Sequence, residues 1–512
     1  MPLTIHAAVR SAARRNPRAV AVRHDAGQLT YGELEASSRR LAAWFRSEGR
    51  LQEGETVALL FGNEASFFTA VLATSRAGLT AVPLPSGCTS AELDYYLADC
   101  GARVLVVGDA VGDRHADRLQ ASAAADIGML SWSRADLTRT TVTAVLTRVA
   151  PARSDHDDPD LPFFVGYTSG TTGRPKGAVI SQRARSLLSM TLGQEYGCYH
   201  ANGESLIVTP LYHGAGMNRA FSPLMFGGSV LLHRRFDAER VLETLRPGGP
   251  SSVFLVPTMF SAMQEFGHAA PSDAELTIMS NASALPERLK HYAVQQWPNA
   301  RIFEIYGSTE GGTISSLRPE DLLRKPRCVG QPLALTDVEL REAEGAAVPP
   351  GEVGQLWSRS PYIFDGYLGR PEETAQVRVD GWVTCGDLAR ADDEGYLHIV
   401  GRTTDTIITG GVNVFPREVE EVIRDLDGVA DAVVLGLPDD RWGERVHAVV
   451  VVEAGARVEA ADVDRHCRGL LAGPKIPKGI TVRSEVPRTA TGKVLRAALV
   501  EQLKEQVEGS AP

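Results

Sequence analysis

The sequence predicts an α/β protein that combines a parallel-sheet domain, a small β-rich subdomain and a separate small α+β unit. Apolar strand-like runs alternate with helical patterns through most of the chain, which is typical of βαβ units. Near residue 338 the pattern changes to short strands and turns, and helices with longer strands return after residues 401–402. With 512 residues, the chain is also too long for one compact core.

The first part of the chain carries the alternation. A helix is predicted over residues 34–45, because Leu34, Leu41 and Phe45 fall on one face, and another over residues 65–77. Short apolar runs predict buried strands at residues 56–60, 104–107, 206–208, 230–232 and 253–256. Residues 112–160 are polar and weakly patterned, so we expect a poorly ordered connection between two sheet-building halves there.

The last part of the chain is predicted to form the two smaller units. Residues 354–357 and 395–400 indicate strands of the β subdomain. Beyond them, Pro416 begins a helix that ends before Gly428, and strands follow at residues 432–435 and 446–452. A final helix is expected to bury Leu495, Leu499 and Leu503, which are spaced by four residues.

The composition is that of a globular enzyme, with 43% hydrophobic and 23% charged residues. A net charge of −10 argues against a broad nucleic-acid or anionic-membrane surface. No signal peptide and no apolar run long enough for a membrane span are evident. The six cysteines are scattered without a C-x-x-C motif, which favours reduced thiols. We therefore expect a cytoplasmic protein.

The most informative segment is YTSGTTGRPKG at residues 167–177, which directly follows the apolar residues 163–165. Glycines let the backbone turn its N–H groups inward, hydroxyls add donors, and Lys176 adds a positive charge. This composition predicts a phosphate-binding loop. The spacing differs from the Walker loop, because Lys176 follows a proline and precedes a glycine. A Gly/Ser/Thr cluster alone is equally typical of a surface loop.

The loop resembles the signature loop of the AMP-forming adenylating (ANL) superfamily, which includes acyl-CoA synthetases, adenylation domains of nonribosomal peptide synthetases and beetle luciferases. The similarity extends from LTYGEL at residues 29–34 to TGKVLR at residues 491–496. It implies a large N-terminal domain of stacked sheets (residues 1–400), a hinge (401–405) and a small mobile C-terminal domain (406–512). It also implies a set of ATP-phosphate ligands in the loop: Thr168, Ser169, Gly170, Thr171, Thr172, Gly173 and Lys176.

Two further motifs complete the implied ATP site. In IYGSTEGG at residues 305–312, the resemblance assigns Tyr306 to adenine, Thr309 to the α-phosphate and Glu310, with Thr168, to Mg²⁺. These roles suit an aromatic face, a hydrogen-bond donor and a hard oxygen ligand. In GWVTCGD and the following GR, Asp387 and Arg402 match residues that bind the ribose.

Catalysis is assigned by resemblance to Lys493, Glu310 and His213. Lys493 lies in a Thr-Gly-Lys segment and would bridge the attacking carboxylate and the α-phosphate, offsetting the repulsion of two anions. His213 lies in PLYHGAG and would gate the acid site, although an isolated histidine is more often structural.

The acid pocket, the thiol path and the hinge are assigned in the same way. The pocket residues share the segments around these motifs and are His213, Asn218, Arg219, Asn281, Gly307 and Gly312. Asn281 and Ala282 replace glycines usual in the family, so we expect a narrower or more polar pocket. A buried Asn281 needs a hydrogen-bond partner, which suggests a polar group on the substrate. Arg219 either meets a charged substituent of the substrate or is an ordinary surface arginine. Gly410 and Gly411 match a CoA tunnel, and Thr404 and Asp405 form the hinge, where Thr404 replaces the usual Asp or Lys.

The resemblance implies an ATP-dependent carboxylic acid–CoA ligase that uses ATP, Mg²⁺ and CoA. The alternative is a stand-alone adenylating enzyme of a natural-product pathway that passes the activated acid to a carrier protein, an amine or another acceptor. A non-catalytic nucleotide-binding regulator and a light-emitting oxygenase are rivals of other classes. The expected partners are a small carboxylic acid and CoA or an acyl carrier protein, without nucleic acid; the oligomeric state is open.

Overall fold

The computed structural model describes residues 2–111, 128–133, 140–168, 174–266, 271–439, 441–453, 455–488 and 494–508. The α-helices within these ranges are α1 (Ile5–Arg15), α2 (Tyr31–Arg46), α3 (Ala65–Arg76), α4 (Ser90–Cys100), α5 (Val142–Arg148), α6 (Gln182–Tyr196), α7 (Gly214–Met225), α8 (Ala238–Thr244), α9 (Pro257–Phe266), α10 (Glu287–Gln296), α11 (Pro371–Val377), α12 (Pro416–Arg424), α13 (Ala460–Leu470) and α14 (Arg496–Glu508). None of them has both the length and the apolar character needed to cross a membrane.

The strands are β1 (Val20–His24), β2 (Gly27–Thr30), β3 (Thr56–Leu60), β4 (Thr80–Leu84), β5 (Val104–Val107), β6 (Gly128–Ser131), β7 (Thr140–Thr141), β8 (Pro162–Thr168), β9 (Lys176–Ser181), β10 (Glu204–Ile207), β11 (Ser229–Leu232), β12 (Ser252–Leu255), β13 (Thr277–Ser280), β14 (Arg301–Ser308), β15 (Gly312–Leu317), β16 (Gln331–Pro332), β17 (Asp337–Arg341), β18 (Gly354–Arg359), β19 (Gly366–Tyr367), β20 (Arg378–Val379), β21 (Trp382–Val383), β22 (Asp387–Ala391), β23 (Leu397–Arg402), β24 (Ile407–Thr409), β25 (Val412–Val414), β26 (Val429–Asp439), β27 (Gly443–Val452) and β28 (Gly479–Arg483).

Two large sheets form the N-terminal part. The described strands of the first follow the order β16-β15-β14-β13-β12-β10-β11-β1-β2, and those of the second the order β19-β9-β8-β4-β3-β5-β6-β7. The central strands pair in parallel, for example β3 with β4 and β5. All five residues of β3 are buried, as expected for a strand covered on both faces. The predicted α/β fold with parallel sheets is confirmed.

Helices α3 and α7 pack between the two sheets. Phe68 of α3 contacts Phe221 of α7 with ring centroids 5.2 Å apart, and Phe221 also contacts Phe163 of β8 at 6.1 Å. The same core includes Val230 of the first sheet and Val57 of the second. This stacking brings β8, α6, α7 and the ends of β12–β15 to one region of the molecule.

The two smaller units follow the predicted order. Strands β17, β18 and β20–β23 form an antiparallel sheet, and its β22–β23 ladder places Asp387 opposite Arg402. In the C-terminal part, strands β24–β28 form a sheet in which β27 is central and pairs with β24, β26 and β28. Val419 and Ile423 of α12 and Val463 of α13 pack on this sheet.

Two predictions of local structure are wrong. The expected poorly ordered connection at residues 112–160 contains β6, β7 and α5, and Leu130, Val142 and Val145 are buried there; residues 112–127 and 134–139 lie outside the described ranges. Leu495 precedes α14 and is exposed, whereas Leu499 and Leu503 are buried as expected. Helical spacing could not reveal that the helix begins one residue later.

Candidate active site

The predicted phosphate loop joins β8 to β9, which pair antiparallel with Thr168 opposite Lys176. The Thr168 hydroxyl donates to the Lys176 carbonyl at 3.4 Å. The other predicted loop ligands lie outside the described residues: Ser169, Gly170, Thr171, Thr172 and Gly173. The two ends of the loop therefore lie side by side at the end of a buried strand pair.

Lys176 is connected to Glu310 through an aromatic ring. Its ammonium lies 5.3 Å from the centroid of the Tyr367 ring and forms an ion pair with Glu373. The Tyr367 hydroxyl donates to Glu310 Oε1 at 2.8 Å. Burial, followed by the Glu310 carboxylate, raises the pKa of Tyr367, so its hydroxyl remains a donor. Tyr367 and Glu373 thus join two predicted ATP-site residues, a link that the sequence analysis missed.

Glu310 fits a hard cation. Its side chain is 7% exposed, and among the described residues it has no lysine or arginine ion-pair partner. The described residues include no cluster of three His, Cys, Asp or Glu that could hold a metal by itself. A Mg²⁺ ion bound here would therefore take one protein carboxylate and complete its shell with substrate phosphates and water, which is usual for this ion.

A second cluster surrounds Asp387. The Tyr306 hydroxyl donates to Asp387 Oδ2 at 2.6 Å, and Arg402 Nε donates to Oδ1 at 2.8 Å. The Cys385 thiol also donates to Oδ2, at 3.1 Å. The structure thus brings the three predicted adenosine ligands together: Asp387 and Arg402 from the paired strands β22 and β23, and Tyr306 from the distant β14.

The electrostatics of this cluster keep its donors protonated. Burial, followed by the Asp387 and Glu310 carboxylates, raises the pKa of the Cys385 thiol. Burial also raises the pKa of Tyr306 well above its usual value, with Cys385 and Asp387 adding to the shift. The Asp387 carboxylate is therefore held in a fixed orientation by three groups that do not titrate near neutral pH.

Three glycines allow the close approach of the strands that carry these residues. A Cβ on Gly166 would lie 3.2 Å from Thr309 Cγ2, so Thr309 packs directly against the strand before the phosphate loop. A Cβ on Gly307 would lie 2.0 Å from the Gly312 carbonyl oxygen, and Gly312 itself has φ of +69°. Gly307 and Gly312 are thus required by the β14–β15 hairpin, which is a structural reason for both.

On the acid side, His213 and Arg219 lie on one helix. His213 is the N-cap residue of α7, and burial lowers the pKa of its imidazole, so it is neutral at pH 7. Arg219 is 4% exposed, which excludes the surface-arginine interpretation. It donates to Asn218 Oδ1 at 3.1 Å and lies over the rings of Tyr196 and Phe254.

The expectation that Asn281 is buried and in need of a hydrogen-bond partner is wrong. Its side chain is half-buried, and its Oδ1 accepts a hydrogen bond of 2.6 Å from the Ala282 amide, so a substrate group is not needed as partner. Ala282 has φ of +81°, a left-handed conformation that favours glycine. The turn keeps the shape that glycine would give and uses Asn281 to hold it.

The hinge and thiol-path residues lie at the start of the C-terminal part. Thr404 and Asp405 form a short 3₁₀ turn, and Asp405 Oδ2 lies 3.5 Å from Arg496 Nε. Gly410 and Gly411, with φ of +57° and +79°, form the two-residue turn of the β24–β25 hairpin. The hairpin explains these glycines structurally, and their role along a thiol path stays a prediction. Lys493 lies outside the described residues.

Comparison with known proteins identifies the family. The AMP-binding enzyme family model matches residues 9–368, and the model of the AMP-binding enzyme C-terminal domain matches residues 418–493. The chain belongs to the AMP-binding enzyme family.

Other members of this AMP-binding enzyme family resemble it over nearly their full length. A feruloyl-CoA synthase of Amycolatopsis sp is 34% identical over 496 residues, which covers 94% of this chain and 96% of the relative. A fatty acid–[acyl-carrier-protein] ligase, ScoC, of Streptomyces coeruleorubidus is 31% identical, covering 95% and 94%. The crystal structure of ATP-bound MatB from Rhodopseudomonas palustris has 28% identity and a TM-score of 0.90, covering 99% and 100%.

These matches confirm the predicted family, the predicted fold and the prediction of an AMP-forming ligase. The use of ATP is supported by the family and by the ATP-bound neighbour. Two site residues were missed by sequence reasoning. For Tyr367, the aromatic residues around Gly366 were a weak indication. Arg185 of α6, which is also buried, had no signal, because one arginine in a helix usually faces solvent.

Proposed function

We propose that this AMP-binding enzyme is an ATP-dependent carboxylic acid–CoA ligase that works through an acyl-adenylate. One observation carries the proposal. Tyr306 and Arg402 are hydrogen-bonded to Asp387, and beside them Tyr367 contacts both Glu310 and Lys176. An aromatic ring and a ribose-binding carboxylate are thus set next to a phosphate cation and a metal carboxylate. This is the order of groups along ATP.

In the first half-reaction, the acid carboxylate attacks the α-phosphorus of ATP, and the bond to the β-phosphate oxygen breaks to release pyrophosphate. Asp387 accepts hydrogen bonds from the ribose hydroxyls, and the Tyr306 ring stacks on adenine. Lys176 binds the β- and γ-phosphates, and Thr309 donates to the α-phosphate. Lys493 offsets the repulsion between the carboxylate and the α-phosphate.

Glu310 and Thr168 would hold the Mg²⁺. The ion supplies charge neutralisation of the phosphates when bound. The Tyr367 hydrogen bond fixes the Glu310 carboxylate, so that its other oxygen keeps one direction for a ligand.

In the second half-reaction, the CoA thiol releases its proton to solvent, its sulfur bonds to the acyl carbon, and the bond from that carbon to the AMP oxygen breaks, so that AMP leaves. The C-terminal domain turns about Thr404 and Asp405 to withdraw Lys493 and to present the Gly410–Gly411 hairpin to the thiol path. The Asp405–Arg496 contact supports this proposal, because it ties the hinge to α14, only three residues after Lys493.

The alternative acceptor is a carrier-protein thiol. The similarity to a ligase named for an acyl carrier protein favours it, and the adenylation step would be unchanged. A cytoplasmic location fits either acceptor.

ATP–pyrophosphate exchange across a panel of acids tests the first half-reaction. Exchange with at least one acid that Lys493→Ala abolishes is the expected result. No exchange with any acid would contradict adenylation and favour a nucleotide-binding regulator, and exchange untouched by Lys493→Ala would remove that residue's role. Mass spectrometry of products with CoA, and separately with an acyl carrier protein, distinguishes the two acceptors: only a CoA thioester supports the ligase proposed here.

A further inference from the structure

Two arginines are buried between α6, α7 and the two large sheets, close enough for the charge of one to shift the pKa of the other. Arg219 of α7 and Arg185 of α6 are 4% and 7% exposed. Arg219 lies 5.3 Å from the Tyr196 ring centroid and 5.6 Å from that of Phe254, and Arg185 lies 4.7 Å from that of Phe164. Such contacts with aromatic faces stabilise a cation but leave most of its N–H donors unused.

No described carboxylate neutralises this pair. Besides the neutral Asn218, the polar neighbours of Arg219 are Tyr196, Cys198 and Tyr199, which is also hydrogen-bonded to it; burial raises the pKa of each, to about 11 for the Cys198 thiol. They therefore supply no negative charge at neutral pH. Burial and the nearby Arg219 charge lower the pKa of Arg185 to about 9, so both guanidinium groups remain charged.

Other buried cations of the same chain do have countercharges. Arg76 is fully buried and pairs with Glu35 and with Asp155, and Lys290 pairs with Glu304 at 3.0 Å. An unpaired buried charge costs several kcal/mol, on the order of the whole stability of a domain. The absence of such a partner at Arg185 and Arg219, among the described residues, therefore calls for an anion from outside the chain.

The N–H donors of the arginine pair that have no partner lie near the proposed acid site. Nε of Arg185, Nε of Arg219 and the amide nitrogen of Asn218 are buried and have no hydrogen-bond partner among the described residues. Asn218 and Arg219 lie one to two turns after His213 on α7. The ring under Arg185 belongs to Phe164 of β8, which leads to the phosphate loop, and a Cβ on Gly166 would contact both Phe164 and Thr309. The arginine pair thus adjoins the region where the acid has to meet the α-phosphate.

Given the acid-activating function proposed above, we infer that the acid is a dicarboxylate, whose second carboxylate binds to Arg185, Arg219 and Asn218. The first carboxylate attacks the α-phosphate and becomes the acyl group, and the second undergoes no chemistry. Guanidinium groups match a carboxylate with paired N–H donors, and two of them with an amide can satisfy its oxygens fully. A substrate with a neutral group at this position leaves the two arginine charges unpaired and therefore binds less well, so the pocket selects for the second carboxylate.

The test measures ATP–pyrophosphate exchange with malonate, succinate, glutarate and adipate, each beside its half-amide, together with ferulate and hexanoate. We expect one dicarboxylate to exceed its half-amide in kcat/KM by about 100-fold or more, since a site built for a polar group rejects an analogue lacking it. Arg219→Met and Arg185→Met keep the apolar stem and should each lower kcat/KM for that dicarboxylate by about 10- to 100-fold. Activity with the half-amide should fall by less, about 2- to 10-fold, because its neutral carbonyl accepts only an ordinary hydrogen bond from each arginine.

Arg301→Met is the matched control. Arg301 lies over Phe303 at 5.2 Å and donates to the Tyr196 carbonyl at 2.8 Å, but it is exposed at the far end of β14. It makes the same kind of contact, a guanidinium over an aromatic ring beside Tyr196, but from an exposed position, so its replacement should leave the selectivity unchanged. Thermal unfolding adds a second readout: removing an unpaired buried charge should leave the melting temperature equal or higher, whereas a purely structural cation should lower it.

The outcomes separate this inference from the proposed function. Exchange with ferulate or hexanoate but with no dicarboxylate would overturn the inference and leave the ligase intact. Equal losses for dicarboxylate and half-amide in the two variants would also overturn it, since they indicate a structural role. Exchange with no acid at all would instead contradict the proposed function. The wild-type panel decides the question even if a variant fails to fold.

Discussion

Tyr306→Phe tests the adenosine site by removing a single oxygen atom. The ring that is proposed to stack on adenine remains, and the hydroxyl that donates to Asp387 Oδ2 at 2.6 Å is lost. A hydrogen bond to a charged group is worth about 1.5–3 kcal/mol. Because Arg402 still holds the other carboxylate oxygen at 2.8 Å, we expect the lower end of this range.

A loss of about 1.4 kcal/mol corresponds to a roughly tenfold effect. The KM for ATP should therefore rise about tenfold. The kcat should stay nearly unchanged, because the hydroxyl touches neither the α-phosphate nor the acid. The assay is ATP–pyrophosphate exchange at saturating acid with varied ATP.

Tyr396→Phe is the matched control, because the Tyr396 hydroxyl donates to Asp321 at 2.5 Å at the opposite end of the β22–β23 hairpin. It removes the same kind of bond and should lower the melting temperature without changing the KM for ATP. An unchanged KM in Tyr306→Phe, or an equal rise in both variants, would refute the reasoning.

Three further predictions concern the metal, the hairpin and acid stability. Glu310→Gln should lower kcat/KM by about 100-fold or more and raise the Mg²⁺ concentration needed for exchange; an unchanged Mg²⁺ profile would argue against Glu310 as a ligand. Gly307→Ala should cost about 1–3 kcal/mol in urea unfolding because its Cβ meets a backbone oxygen, whereas Gly469→Ala, with open space around it, should cost nothing measurable. Burial, and then nearby arginines, lower the pKa of His6 and of His447 to about 4. As the pH falls, the unfolded chain therefore binds protons before the folded chain does. Stability is lost between about pH 6.5 and pH 4, by up to roughly 3 kcal/mol per histidine. In His6→Gln this loss between urea titrations at pH 7 and pH 5 should shrink, and an unchanged loss would contradict the assignment.

Local patterns predicted the parallel sheets because their strands are marked by composition. Residues 56–60 are apolar on both faces, and only a strand covered on both sides buries such a run. The prediction for residues 128–148 was wrong because the strands there are short and only a few apolar residues, such as Leu130 and Val142, face the core. Segment β6 is a strand because it pairs with β5, and its own sequence pattern does not predict one.

The same contrast holds in the site. Tyr306, Asp387 and Arg402 could be assigned from motifs, and the register of β22 and β23 then brings two of them face to face. Tyr367 and Arg185 depend on packing between elements that are distant in the chain, so no spacing in the sequence reveals them. Arg219 could be named from its place after His213, but whether it was buried required the fold.

The central claim is that the acid is activated by bonding to the α-phosphate of ATP. The most direct measurement uses an acid whose carboxylate carries the heavy oxygen isotope and follows the label into the products by mass spectrometry. Adenylation followed by thiol attack predicts that one labelled oxygen per turnover appears in AMP. Label found in inorganic phosphate with ADP, or AMP formed without label, would contradict the account.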